Sequence, residues 1–251
     1  MALKPRERFQ RRGLPLRAVL PNAVTALALC SGLTGVRYAI AEDWERAVLM
    51  IMIAAALDGI DGQIARMMRG ESKFGAELDS LSDAISFGVA PALILYLWAL
   101  EAVPKIGWIV SLLYAVFAAL RLARFNSQID TEQPRKIAGY LTGIPAPAGA
   151  ALAMLPLYIW LWSGEALARS PWIVTPWLAC VGLLMVSSLA TYSWKSLRLR
   201  RNVRFEALVV VAILLAALVT APWQTLSVLC VAYMATLPFS VRAYRRGQRP
   251  T

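Results

Sequence analysis

The chain has 251 residues, 59% of them hydrophobic and 16% charged, a net charge of +11 and no histidine. The apolar share exceeds that of ordinary soluble domains, and the charges lie in short islands between long apolar runs, which excludes a soluble globule and a nucleic-acid-binding module. Imidazole acid–base chemistry, His metal ligation and phosphohistidine intermediates are excluded with the histidine. Cys30, Cys180 and Cys230 stand apart inside apolar runs, without metal-site spacing, and read as packing thiols.

The chain opens on a basic segment, residues 1–14, which leads into an apolar run. The pattern mimics a signal peptide, but Leu29 is bulky where cleavage needs a small residue, so an uncleaved first helix is expected. The Arg-rich start, with Phe9, Leu14 and Leu16 interspersed, reads either as an interfacial amphipathic segment or as a plain topology-setting tail. Eight spans are predicted, at roughly 15–40, 45–70, 75–101, 104–126, 143–163, 171–190, 205–221 and 223–242. With the N-terminus inside, all but four of the 26 Lys and Arg residues (Arg37, Arg46, Lys105 and Arg169) fall in cytoplasmic segments. That asymmetry predicts both termini in the cytoplasm. The expected architecture is therefore an all-α, polytopic membrane bundle of about eight helices, with residues 1–251 forming one domain.

Four aspartates interrupt this apolar pattern. Asp58 and Asp61 fall near the inner end of span two, and Asp79 and Asp83 near the start of span three. Helical spacing places Asp58, Asp61, Gly62 and Ala65 on one face, and Asp79 and Asp83 on one face of the next helix. A turn near Gly70 makes the two helices antiparallel neighbours. Asp58 is twelve residues before Gly70, about 18 Å of helix, and Asp83 eight after Gly75, about 12 Å. The four carboxylates can thus meet at the cytoplasmic side of the membrane. Together they repel unless a positive charge sits among them, and carboxylate-only ligation suits two hard cations such as Mg²⁺ or Mn²⁺, which also favour phosphate. Gly62 and Ala65 remove bulk where a substrate approaches, and Arg66 offers a cation suited to phosphate. Solvated loop acids fit the register poorly. An ion or proton pathway accounts for the acids but not for Gly62, Ala65 and Gly75.

The stretch from Asp58 to Asp83 reads D-x2-D-G-x2-A-R-x8-G-x3-D-x3-D. It resembles the signature of the CDP-alcohol phosphotransferases. The resemblance implies that Asp58, Asp61 and Asp79 hold one metal ion and Asp58, Asp79 and Asp83 a second. It further implies that Asp83 is the general base on the acceptor hydroxyl, that Gly62, Ala65, Arg66 and Gly75 shape the CDP site, and that the protein is a homodimer. Residues 20–33, 77–92, 120–126, 143–150 and 183–195 are similar to the phosphatidylserine synthase branch of that family, with the small departures "GIPAPAGA" and "SSLATYSWK". This implies CDP-diacylglycerol as donor, L-serine as acceptor and CMP as product, at an active site on the cytoplasmic side of the inner membrane. Glycerol phosphate, an inositol compound or choline are the rival acceptors, an ether-linked lipid is a rival donor, and a transporter or scaffold is the reading outside enzymes.

Two further pairs are candidates. Arg121 and Arg124, at the inner end of span four, read as a clamp for the serine carboxylate or the donor phosphate, against simple positive-inside charge. Asn22 and Thr25, near the inner end of span one, share a helix face and read as nucleotide or phosphate contacts, against interhelical hydrogen bonding.

Overall fold

The computed structural model describes residues 16–68, 72–127, 140–187, 190–192 and 204–247. The structure is helical, as the apolar runs require, because a backbone in hydrocarbon must satisfy its own hydrogen bonds. Helix α1 (Leu16–Ile40) turns into α2 (Trp44–Met68), which Asp43 caps by accepting from the Arg46 amide at 3.1 Å. Next come α3 (Lys73–Asp83), a π-helical segment (Ala84–Val89) and α4 (Ala90–Trp98), followed by α5 (Pro104–Ser127). The rest comprises β1 (Tyr140–Thr142), α6 (Ala146–Ala153), α7 (Leu155–Ser163), α8 (Pro171–Val186), β2 (Ala190–Tyr192), α9 (Arg204–Thr220) and α10 (Pro222–Gly247). The two three-residue strands pair antiparallel, with Leu141 opposite Thr191. This short ladder is the one departure from an all-α fold among the described residues.

Among the described residues, four helices are long and apolar enough to cross a membrane: Val19–Ile40, Trp44–Met68, Lys73–Trp98 and Pro104–Ser127. Helices α6 and α7 make a fifth candidate if their 41° bend lies within one span. The bend was not in the sequence reading, which drew one span over 143–163. Its cause is Pro156, which has no N–H for the Leu152 carbonyl and whose ring crowds that carbonyl. The indole N–H of Trp177 on α8 donates to Leu152 O instead, at 2.8 Å. Helices also occupy the other predicted spans, at Pro171–Val186, Arg204–Thr220 and Pro222–Gly247. The interfacial reading of the N-terminal segment falls on residues outside the described ones.

Helix α1 lies along α2, and its other side rests on α3, the π segment and α4; α5 lies along α8, and α10 packs on α7. The buried centre holds Phe87, Trp98, Tyr114 and Tyr158. Leu208, Ile213 and Val219 of α9 stay exposed, at 66%, 61% and 83%, an apolar outer surface that suits lipid and not water. One end of the bundle is closed by Arg169, which donates from Nε to the Trp98 carbonyl at 2.8 Å and lies over the rings of Trp44 and Trp160. The guanidinium thereby satisfies a carbonyl at the C-terminus of α4. The aspartates lie at the other end of α2, fourteen or more residues from Trp44, or about 21 Å of helix.

Candidate active site

The site is assembled by α1, α2 and α3. Ser72 starts α3, its side chain accepting from the Gly75 amide at 3.0 Å, and this cap sets the phase in which Asp79 and Asp83 emerge. Across from it, the last turns of α2 present Asp58 and Asp61. Carboxylate oxygens of Asp58, Asp61 and Asp79 all lie within 4.8 Å of one another. The Asp83 carboxyl lies within hydrogen-bonding reach of that of Asp58. The helical spacing therefore brings all four predicted acids to one place.

Asp61 is 4% exposed, and its Oδ2 accepts from the Thr25 hydroxyl at 2.6 Å, so α1 fixes the orientation of one carboxylate. Thr25 is thus a partner of the aspartate itself. A pocket of about 210 Å³ opens beside the cluster, lined by Asn22, Thr25, Asp61, Gly62, Gly75 and Asp79 among others. Ala65 also faces it. At Gly75 a Cβ would come to 2.8 Å from Asn22 Oδ1 and 3.2 Å from Ser72 Oγ, so glycine is what allows α1 and α3 to approach here. At Gly62 a Cβ would meet only the Arg66 guanidinium, at 3.7 Å; Arg66 stands beside Gly62 but does not line the pocket.

The two arginines of α5 diverge. Arg121 turns inward, within electrostatic reach of Asp83 and of Tyr233 on α10, with its side chain against Phe125. Arg124 is exposed and donates to the Val186 carbonyl at 3.3 Å, at the C-terminal end of α8. There it satisfies an unpaired helix-end carbonyl, the role that favours cations at C-termini. Pocket residues that the sequence reading missed are Pro21, Ser72 and Ala76. Ser72 had a legible signal, a Ser just ahead of a helical register. Asn126 was also missed; its amide donates to Ser80 Oγ at 2.8 Å and ties α5 to α3. Lys73 is the first residue of α3.

The donor set fits a hard divalent cation. Its ligands are oxygen only, three carboxylates converge, and among the described residues none of the four aspartates is ion-paired with Lys or Arg. Asp83 Oδ1 and Asn22 Nδ2 are buried without a hydrogen-bond partner, an arrangement that costs free energy unless a further group meets them.

Comparison with known proteins agrees with this arrangement. The family model for CDP-alcohol phosphatidyltransferase matches residues 18–186, and that for CDP-alcohol phosphatidyltransferase 2 matches residues 202–238. A Mycobacterium tuberculosis protein named CDP-diacylglycerol–serine O-phosphatidyltransferase is 41% identical over 243 residues, which is 96% of this chain and 83% of that one. A Mycobacterium leprae protein of the same name is 36% identical, covering 98% of this chain and 80% of its own. One from Helicobacter pylori, also of that name, is 32% identical over 86% of this chain and 88% of its own. The matched region contains all four aspartates and the pocket beside them, and the chain belongs to the CDP-alcohol phosphatidyltransferase family.

Proposed function

We propose that the protein transfers the phosphatidyl group of CDP-diacylglycerol to the hydroxyl of L-serine and releases CMP. The observation that carries this reading is the convergence of Asp58, Asp61 and Asp79, with Asp83 beside them, at the wall of the Asn22–Gly75 pocket. The donor and acceptor follow the names of relatives that cover nearly the whole chain.

The four aspartates would hold two divalent cations, Mg²⁺ or Mn²⁺, which supply charge compensation for a diphosphate when bound. Asn22, Thr25, Gly62, Ala65 and Gly75 form the cytidine-diphosphate side of the pocket, and Arg66, beside Gly62, offers a cation to the diphosphate. Asp83 takes the proton of the serine hydroxyl as that oxygen bonds to the phosphorus bearing diacylglycerol. The bond from this phosphorus to the bridging oxygen breaks, and CMP departs with that oxygen. Arg121, beside Asp83, is placed to receive the serine carboxylate. Arg124 contributes through the end of α8.

In the same reading residues 1–251 are one domain with eight spans in the inner membrane, both termini and the site face the cytoplasm, and the enzyme is a homodimer. The distribution of Lys and Arg supports the orientation. The test is CMP release by purified protein in detergent with CDP-diacylglycerol and Mn²⁺ or Mg²⁺, offering serine, glycerol 3-phosphate, inositol or choline in turn. Serine-dependent release that a chelator abolishes is expected. Release with a different alcohol alone would replace the acceptor and keep the chemistry. No release with any alcohol, from folded protein, would overturn the reading.

A further inference from the structure

The helix that carries Asp79 and Asp83 changes its hydrogen-bond pattern directly after Asp83. From Ala84 to Val89 it is a π-helix, in which the Ala90 amide reaches back five residues to Ile85 O. Such wide turns are rare, and they occur often at functional sites. A wide turn and a proline follow one another here. Pro91 follows the wide turn directly and has no N–H, so the backbone there is short of one donor. Both Phe87 and Tyr114 are fully enclosed, at 1% and 0% exposure, so water does not replace it. The Tyr114 hydroxyl on α5 does, donating to Phe87 O at 3.1 Å.

The opposite side of the same segment is fastened to α1. Ser82 Oγ donates to Thr25 O at 3.3 Å and Ser86 Oγ to Ala28 O at 3.4 Å, one on each side of Asp83. Gly88 lets α5 close in, since a Cβ there would come to 2.9 Å from Ala118 Cβ. The π segment is thus held between α1 and α5, and the Tyr114 hydroxyl supplies a donor that the sequence removed at Pro91.

We propose that Tyr114 is a positioning residue for Asp83: by satisfying the Phe87 carbonyl it holds the π-helical turn in place, and that turn fixes the direction from which Asp83 meets the acceptor. The inference rests on the reading of Asp83 as the base. Tyr114 itself touches neither the aspartates nor the pocket, so its effect must pass through the backbone between residues 83 and 88.

The experiment is steady-state kinetics of Tyr114→Phe in detergent, with CDP-diacylglycerol, serine and Mn²⁺, beside wild type and Asp83→Asn. The expected result is a kcat lower by about tenfold to a hundredfold, the scale of a small misplacement of a reacting group. The KM for CDP-diacylglycerol should stay within about twofold, because its pocket is built from residues before the π segment. Amide hydrogen exchange over residues 84–92 should quicken while that of α1 is unchanged. Gly88→Ala, which pushes on Ala118 from the same segment, should give the same split if Tyr114→Phe proves hard to purify. Wild-type kcat in Tyr114→Phe with Asp83→Asn inactive would overturn the proposal and leave the catalytic reading intact. A kcat loss accompanied by a matching rise in KM and a collapse of thermal stability would overturn it too, since that is general loosening. Full activity of Asp83→Asn would remove the base and this proposal with it.

Discussion

Among the prolines set into apolar helices, Pro91 and Pro156 lead to different outcomes. In each the proline removes a backbone donor, and in each an aromatic side chain of a neighbouring helix donates to a nearby carbonyl: Tyr114 to Phe87 O, Trp177 to Leu152 O. At Pro156 the axis breaks at Met154 and bends by 41°. At Pro91 the helix widens into a π turn and runs on from Lys73 to Trp98 as one candidate span. The helix that keeps its course carries Asp79 and Asp83, and it has further anchors in Ser82, Ser86 and the Asn126–Ser80 bond. The helix that bends has, among the described residues, one further hydrogen bond from a neighbour, from the Cys230 thiol to Ala151 O at 3.4 Å, besides the ring contacts of Trp160 with Arg169 and Trp98. Membrane helices tolerate proline when neighbours satisfy the freed carbonyls. Beyond that, the number of tethers decides whether the backbone is merely accommodated or held to a fixed direction.

That contrast can be broken or sharpened by mutation. The largest effect belongs to the tethered helix: Asp79→Asn removes a member of the carboxylate cluster and should lower CMP release by more than about a hundredfold, beyond what losing an outer partner of a ligand costs. Gly75→Ala, which forces a methyl toward Asn22 Oδ1, should raise the KM for CDP-diacylglycerol about tenfold with a smaller change in kcat. If kcat falls instead and KM holds, the pocket beside Gly75 is not where the donor binds. Trp177→Phe should act least on turnover: it leaves Leu152 O without its donor and should cost about 1–3 kcal/mol of stability in denaturant titration. Its kcat and KM should match wild type. Equal kinetic losses in Trp177→Phe and Tyr114→Phe would erase the distinction between the two helices.

The aspartate cluster was legible in the sequence because it follows from one local rule, the helical period, applied on both sides of a short turn. Asp58, Asp61, Asp79 and Asp83 needed nothing else to be placed together. The π turn was not legible. Its hydrophobic pattern reads the same as that of an α-helix over so few residues, and its stabilising donor comes from Tyr114, 27 residues away in sequence. For the same reason Arg121 and Arg124 looked alike from their spacing, yet one turns toward Asp83 and the other toward the end of α8, a choice made by neighbours on other helices. In span five, drawn from the sequence as one uninterrupted helix, whether the chain would bend or widen at Pro156 depended on contacts that a single stretch of sequence does not contain.

The size of the pocket has a kinetic consequence. At about 210 Å³ it lies below the roughly 300–1,000 Å³ that a drug-sized ligand occupies, and it cannot take in the tails of a diacyl lipid. On the proposed reading, the enzyme grips its donor by the head while the tails stay in the bilayer. The quantity that sets its speed is then how crowded the donor is within the membrane plane, and diluting CDP-diacylglycerol with inert lipid should slow it even when the amount per litre is constant.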